Sequence, residues 1–160
     1  MTENNKTKTV KPPALIIGVG NEYRSDDAAG ILAARILKGL LPDEIMVAEN
    51  DGDGAKLMDL WNEYENVILI DAVSFGTKPG TIHNIDANRT VFPKETSMHS
   101  SHMFSIAEAI ETSRALNKLP EKITVYGIEG KSYEFGSTIS DEVNDAIEKV
   151  VSEIQKEVTK

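Results

Sequence analysis

The sequence has 160 residues and contains no cysteine. This absence excludes a disulfide framework, a thiolate zinc site, an iron–sulfur cluster and catalysis by a cysteine nucleophile. It also agrees with a reducing compartment. Together with the polar segment 1–11, which lacks the apolar stretch of a signal peptide, it leads us to expect a cytoplasmic protein.

Long apolar runs and an excess of positive charge are also missing. No run approaches the roughly 20 apolar residues that a membrane span needs, so we expect none. Seventeen Lys and Arg face 26 Asp and Glu, for a net charge of −9. This charge repels phosphate backbones, so we do not expect nucleic-acid binding. Length and composition predict a flexible N-terminal tail over residues 1–12 and a single domain over residues 13–160.

Strands and helices alternate along the chain. Apolar strands are predicted at 14–19, 45–49, 67–70 and 123–128, with an additional strand at 81–85. Helices are predicted at 26–40, 55–63, 103–116 and after Ser140, with Ser25 and Ser140 as N-caps. This order predicts a three-layer α/β/α sandwich with a mostly parallel, twisted sheet of about five strands.

Three polar residues fall where this fold delivers side chains to one edge of its sheet. Asp27 follows the first strand and its glycine turn, Asp71 closes the apolar run of the third strand, and His102 stands at the start of a helix. Ligands bind beyond the carboxyl ends of the strands in such sheets. Two carboxylates and one imidazole form an incomplete coordination sphere that suits a divalent metal.

Each proposed ligand has an alternative interpretation. His99 lies in the same predicted loop as His102, and spacing alone does not choose between them. Asp71 could instead be a buried carboxylate that caps a loop. His83 lies in a predicted surface strand and is expected to be structural or solvated. Asn21 is expected to shape the turn through its side-chain amide.

The turn Gly18-Val19-Gly20 also suggests a dinucleotide site. That fingerprint needs a third glycine where this chain has Tyr23. Asp26 and Asp27 would in addition repel a phosphate from the helix N-terminus. Glu49 stands where a ribose-binding acid would lie, but one acid in so acidic a chain is weak support. We therefore expect no nucleotide site.

Several motifs occur in the order found in a known family. They are Gly18-Val19-Gly20-Asn21-Glu22-Tyr23-Arg24-Ser25-Asp26-Asp27-Ala28-Ala29-Gly30, Ile70-Asp71-Ala72, Ser100-Ser101-His102 before a helix, Gly127-Ile128-Glu129, and the stretch from Phe135-Gly136 to Val143. Over essentially the whole domain the sequence resembles the hydrogenase maturation endopeptidases. These enzymes remove a C-terminal extension from the precursor of a [NiFe] hydrogenase large subunit after the nickel–iron centre has been built.

The resemblance implies a metal-dependent endopeptidase in which Asp27, Asp71 and His102 are the metal ligands and the catalytic residues. It selects His102 over His99, because the helix begins directly behind His102. It also implies that nickel is recognised in the substrate, where zinc or another divalent metal could substitute. The implied partner is the large-subunit precursor, and the implied state is a monomer. The alternative is a non-catalytic, metal-sensing assembly partner that binds the precursor without cutting it.

Two residues depart from the family pattern. The family commonly has glycine after the acidic pair, where this chain has Ala28. It often has proline after the Gly-Ile-acid segment, where this chain has Gly130. Neither is a proposed ligand, so we expect both departures to change the loops near the cleft and the choice of substrate.

Overall fold

The computed structural model describes residues 14–92 and 101–159, and for residues 101–104 only the backbone. The predicted tail over residues 1–12 and His99 lie outside this part. The elements are β1 (Leu15–Val19), a 3-10 helix (Ser25–Ala28), α1 (Ala29–Leu40), β2 (Met46–Asn50), α2 (Gly54–Trp61), β3 (Asn66–Val73), β4 (Ile82–Asp86), α3 (Ser101–Ala115), β5 (Lys122–Glu129) and α4 (Asp141–Val158).

The five strands form one sheet in the order β2-β1-β3-β5-β4. All neighbours are parallel except β4, which pairs antiparallel with β5 at the edge. Helices cover both faces, so the predicted three-layer α/β/α sandwich is confirmed. The optional strand at 81–85 is also confirmed, as β4. Among the described residues, no helix combines the length and the apolar content that crossing a membrane requires.

The core has two halves because side chains on a strand alternate between the two faces of the sheet. On one face, Leu69 and Val73 of β3 pack with residues of α2 and α3, including Trp61 and Ile110. On the other face, Ile68 and Ile70 pack with α1 and α4. The apolar stripe predicted along the last helix is confirmed; its buried members are Val143, Ala146, Ile147, Val150, Val151 and Ile154.

Of the two predicted serine N-caps, Ser140 is confirmed by position and Ser25 is wrong, and neither hydroxyl bonds to its own helix. Ser25 lies inside the 3-10 helix with φ +53°, and its hydroxyl donates to the Glu134 carbonyl (2.7 Å). Ser140 does hold the N-cap position of α4, but its hydroxyl donates to Asp26 (2.9 Å) and not to the helix. In each case a tertiary partner takes the hydroxyl that a local cap would use, which spacing along the chain cannot show.

The predicted bounds need two further corrections. The first helix begins at Ala29, and the acidic pair lies in the 3-10 helix before it. Strand β3 continues to Val73, so Asp71 lies inside the strand and does not close it. Asp71 pairs there with Gly127 of β5, while Val73 pairs with Glu129. The prediction ended the strand too early because it took an acid as the sign of an exposed strand end, whereas this carboxylate is buried.

Candidate active site

Asp71 is fully buried near the carboxyl end of β3. It shares the strand face of Leu69 and Val73, which is the face covered by α2 and α3. Among the described residues, neither carboxylate oxygen has a hydrogen-bond partner. Buried polar atoms almost always have such a partner, and an unpaired charge in this position is costly. The two carboxylate oxygens of Asp71 therefore indicate that a ligand or a proton compensates their negative charge.

The pKa of the Asp71 carboxyl is raised well above its ordinary value. Burial is the main cause, and the nearby negative charge of Asp27 adds to it. The backbone amide of Ala72 opposes both effects more weakly, and it does not meet the geometry of a hydrogen bond. When no cation is bound, Asp71 therefore holds its proton more tightly than an ordinary aspartate does.

Asp27 reaches this point because α1 packs unusually close to the sheet. A Cβ atom on Gly30 would lie 2.2 Å from the Ile70 carbonyl oxygen and 2.4 Å from that of Val19, so only glycine permits the approach. Ile70 directly precedes Asp71, and Asp27 lies one helical turn before Gly30. The glycine contact therefore brings the two carboxylates, which the sequence separates widely, to one place.

The acidic turn is also held in a fixed conformation. Asp27 is almost fully buried; its backbone N–H donates to the Arg24 carbonyl (3.1 Å), and its carbonyl accepts from the Asn21 amide (3.2 Å). The Asn21 side chain accepts a hydrogen bond from the Tyr23 amide (2.9 Å). The prediction that Asn21 shapes the turn is thus confirmed.

The first acid of the pair, Asp26, has a different environment. It is fully buried, and its carboxylate accepts hydrogen bonds from the backbone amides of Lys131 (2.8 Å), Ser132 (3.0 Å) and Ser140 (2.8 Å), and from the Ser140 hydroxyl (2.9 Å). The sequence alone assigns no separate role to Asp26. Asp26 joins the acidic turn to the loop that leads into α4.

Tyr133 and Gly130 account for one departure from the family pattern. The Tyr133 hydroxyl donates to the Val73 carbonyl at the end of β3 (2.5 Å). A Cβ atom on Gly130 would lie 2.4 Å from this hydroxyl, and the Gly130 N–H donates to the same carbonyl (3.1 Å). A proline at position 130 would lose that N–H and occupy the space of the phenol. This chain therefore secures the end of β3 with a tyrosine that a proline would displace.

Tyr133 also lies within the electrostatic field of the site. Its pKa is raised, chiefly by burial and further by the negative charges of Glu129, Asp71 and Asp27. The phenol therefore stays neutral over the physiological pH range. It acts as a hydrogen-bond donor beside the carboxylates and adds no charge to them.

Glu129 is a residue whose role sequence reasoning missed. It ends β5 and is 3% exposed. Its carboxylate accepts hydrogen bonds from three consecutive backbone amides, those of Phe75 (3.0 Å), Gly76 (2.9 Å) and Thr77 (3.1 Å). The His83 Nε2 atom lies 3.6 Å from the carboxylate and 3.0 Å from the Thr77 hydroxyl, so the structural role expected for His83 is confirmed. The signal in the sequence was an acid at a strand end opposite a glycine-containing loop.

His102, the third predicted ligand, is the second residue of α3. Helix α3 covers the face of the sheet to which Asp71 points, so the backbone lies on the expected side of the sheet. The His102 side chain is outside the described part of the structure. Among the side chains that are described, no three His, Asp or Glu residues come together as a metal site. The role of His102 as a ligand stays a prediction.

The expectation that the turn after β1 is not a nucleotide site stays a prediction, and two observations bear on it. Tyr23, at the position of the missing third glycine, is exposed. Glu49 binds the Arg35 guanidinium (3.0 and 3.3 Å), which also contacts Glu22 (3.0 Å). The acid at the end of β2 therefore already has a cationic partner.

Comparison with known proteins identifies the family. The sequence profile described as "HycI: Hydrogenase maturation protease" matches residues 33–157. The chain belongs to the hydrogenase maturation protease family. A Methanocaldococcus jannaschii protein provisionally named as a hydrogenase maturation protease is 30% identical over 156 residues, which are 94% of this chain and 99% of that protein.

Two solved structures of named hydrogenase maturation proteases share the fold. The hydrogenase maturating endopeptidase HybD from E. coli aligns with a TM-score of 0.72 and 25% identity over 89% of both chains. The [NiFe] hydrogenase maturation protease HybD from Thermococcus kodakarensis aligns with a TM-score of 0.70 and 28% identity, over 91% of this chain and 99% of that chain. The predicted endopeptidase function is confirmed at the level of the family, and the non-cutting alternative is not favoured.

Proposed function

We propose that this hydrogenase maturation protease cuts the C-terminal extension from a [NiFe] hydrogenase large-subunit precursor, at a metal-dependent site formed by Asp27, Asp71 and His102. The observation that supports this most strongly is the state of Asp71. Its two carboxylate oxygens are buried and have no hydrogen-bond partner in the part of the chain that the structure describes, and the negative charge of Asp27 helps to raise its pKa. A buried carboxylate without hydrogen bonds, next to a second carboxylate, favours the uptake of a proton or a cation.

The donor set fits a divalent transition metal. Two carboxylates supply hard oxygen ligands, and an imidazole from the first turn of α3 would supply a nitrogen, leaving positions open for substrate or water. When bound, such an ion would polarise the scissile carbonyl and lower the pKa of a water molecule. Nickel is the ion we expect to meet these residues as part of the substrate, and zinc or another divalent metal could replace it.

The protein's own residues prepare this site. Gly30 allows the acidic turn to approach β3, while Asp26 and Tyr133 hold the surrounding loops. Because the pKa of Asp71 is raised, the carboxylate must release a proton when a cation binds, so metal affinity should increase with pH. The profile match begins at residue 33, after the acidic turn, so the role of Asp27 rests on its motif and on its position beside Asp71. The cytoplasmic location and the monomeric state stay predictions from the sequence.

The test is intact mass spectrometry of a nickel-loaded large-subunit precursor before and after incubation with the wild-type protein. Loss of one defined C-terminal peptide is the expected result. Asp27→Asn, Asp71→Asn and His102→Ala should each abolish the cleavage, because each removes one donor and leaves the others in place. His99→Ala is the matched control and should cleave like the wild type. Cleavage by His102→Ala together with failure of His99→Ala would move the imidazole ligand to His99.

A parallel binding measurement separates catalysis from recognition. Asp27→Asn should still bind the precursor if the site is catalytic. If binding and cleavage are lost together, the carboxylates recognise the metal and do not act on the peptide bond. If the wild type binds the loaded precursor and leaves its mass unchanged, the proposed function is wrong.

A further inference from the structure

The exposed aromatic side chains of the described residues lie on one side of the molecule. Those that are more than about a third exposed are Tyr23, Phe135 and Phe75, at 70%, 86% and 38%. Each stands on a loop past the carboxyl end of a strand or in the segment that joins β5 to α4. Single exposed apolar residues are normal on a protein surface and occur here elsewhere too, as at Leu40 and Leu116. The three exposed aromatic rings, in contrast, all stand at the edge that carries the acidic pair.

Two of them, Tyr23 and Phe135, are brought together by a short backbone ribbon. Arg24 and Gly136 form a parallel β-bridge. The Gly136 amide donates to the Tyr23 carbonyl (2.9 Å), and the Ser25 amide donates to the Gly136 carbonyl (2.8 Å). Because Tyr23 and Phe135 each precede a member of the bridge, their backbones lie side by side. We call this pair the aromatic platform.

Further contacts make the platform rigid. The Ser25 hydroxyl donates to the Glu134 carbonyl (2.7 Å), and the Arg24 side chain donates to the Tyr133 carbonyl (3.3 Å). The Arg24 guanidinium also lies 5.6 Å from the centre of the Phe135 ring, in the range of a cation–π contact. Phe135 therefore has a fixed neighbour although most of its surface faces water.

The platform is continuous with the acidic turn. Tyr23 precedes Asp27 by one turn of chain and also lines a cleft of about 530 Å³, whose other walls include Asn21 and Asn50 at the ends of β1 and β2. Asp26 fixes residues 131–132 to the same turn. The two rings and the acidic turn therefore stand on the same edge of the sheet, past the carboxyl ends of its strands.

We propose that Tyr23 and Phe135 form a docking surface for an apolar segment of the protein substrate, and so set substrate affinity and choice. This inference rests on the proposed function, because it assigns the surface to the precursor. An endopeptidase must hold a flexible chain across its site. Rigid aromatic rings suit that task, since they bury large areas with little loss of side-chain freedom.

The charged residues next to the two rings favour an apolar segment of the substrate over a charged one. Glu22, which precedes Tyr23, forms an ion pair with Arg35 (3.0 Å). Glu134 precedes Phe135, whose ring lies 5.6 Å from the Arg24 guanidinium. Because charges of both signs stand beside the rings, a charged segment of either sign meets a like charge there, while the apolar ring surfaces accept an apolar segment.

The experiment compares the wild type with Tyr23→Ala/Phe135→Ala in two assays. The first measures KM and kcat for cleavage of the nickel-loaded precursor. The second measures the Kd of the same precursor in an Asp71→Asn background, where no cleavage is expected. We expect the double substitution to raise KM and Kd on the order of 10- to 100-fold, with kcat changed less than about two-fold. The ribbon is held by backbone atoms and by Ser25, so these variants should keep the fold.

Two controls make the result specific. Tyr23→Phe/Phe135→Tyr keeps both rings and should keep KM and Kd near the wild-type values. Leu116→Ala removes an exposed apolar side chain just past α3 (56% exposed) and should have no effect.

Unchanged KM and Kd in the double alanine variant would refute the docking role of the aromatic platform, and so would a fall in kcat at constant KM. A wild type that binds without cutting would refute the proposed function alone, because the Kd comparison still tests the platform. A wild type that does not bind would refute both.

Discussion

Replacing Asp71 by Asn tests the electrostatic description of the site most directly. Burial and the charge of Asp27 raise the pKa of the Asp71 carboxyl in the folded protein. In the unfolded chain this carboxyl has its ordinary pKa of about 3.9. The unfolded state therefore loses the proton at a lower pH than the folded state. The stability of the metal-free wild type should fall as pH rises above about 4 and become constant above the folded-state pKa.

The size of the effect follows from one proton. A difference of one bound proton between the two states changes the free energy of unfolding by about 1.4 kcal/mol per pH unit. Asn has nearly the volume of Asp, so Asp71→Asn leaves no new cavity. The unpaired amide has a cost that does not depend on pH. The difference in unfolding free energy, variant minus wild type, should therefore grow by about 1.4 kcal/mol for each pH unit inside the window.

Urea unfolding followed by circular dichroism, in EDTA and at several pH values from 4.5 to 8, measures this difference. Asp59→Asn, which changes an exposed carboxylate on α2, is the control and should follow the wild type at every pH. Parallel pH profiles for wild type and Asp71→Asn would refute the reasoning, because they would mean that Asp71 titrates alike in the folded and unfolded states. Added Ni²⁺ or Zn²⁺ should stabilise the wild type more at the higher pH values and stabilise Asp71→Asn less.

Three other substitutions test the packing around the site. Gly30→Ala places a Cβ atom 2.2 Å from the Ile70 carbonyl oxygen, so we expect a loss of roughly 2–3 kcal/mol in urea unfolding and little cleavage of the precursor. Gly130→Pro removes a backbone hydrogen bond and meets the Tyr133 hydroxyl; its loss of stability should be smaller in a Tyr133→Phe background, as a double-mutant cycle would show. Asp26→Asn replaces one of two acceptor oxygens by a donor, and should cost about 2 kcal/mol of unfolding free energy and raise protease sensitivity at residues 130–140.

The sequence predicts the architecture well because its signals are local. The branched apolar run of β3 and the amphipathic stripe of α4 each depend on neighbouring residues, and the structure confirms both. Strand and helix ends were less accurate. The predicted end of β3 was too early because hydropathy places an acid at the surface. Asp71 is in fact buried inside the strand, which continues to Val73. The cap at Ser25 was wrong, and Ser140 holds its N-cap position without a side-chain bond to the helix, because distant residues take both hydroxyls.

The site was only partly accessible from the sequence. The motif that contains Asp27 and the strand that contains Asp71 could be found by pattern and by resemblance. The different roles of Asp26 and Asp27 could not be predicted, because the four hydrogen-bond donors to Asp26 come from residues 131–140. The role of Glu129 depends in the same way on amides more than fifty positions earlier. Long-range hydrogen bonds of this kind leave no periodic signal in a chain.

The attachment of Asp26 to residues 131–140 has a consequence for synthesis on the ribosome. Until Ser140 has left the exit tunnel, the Asp26 carboxylate lacks the donors that make its complete burial tolerable. The acidic turn cannot settle beside β3 in a nascent chain that ends before that point. Strand β5, which separates β3 from the edge strand, is also translated late. The acidic turn therefore gains its native geometry only after residues 131–140 have been translated, and a nascent chain that ends before them lacks the arrangement that places Asp27 beside Asp71.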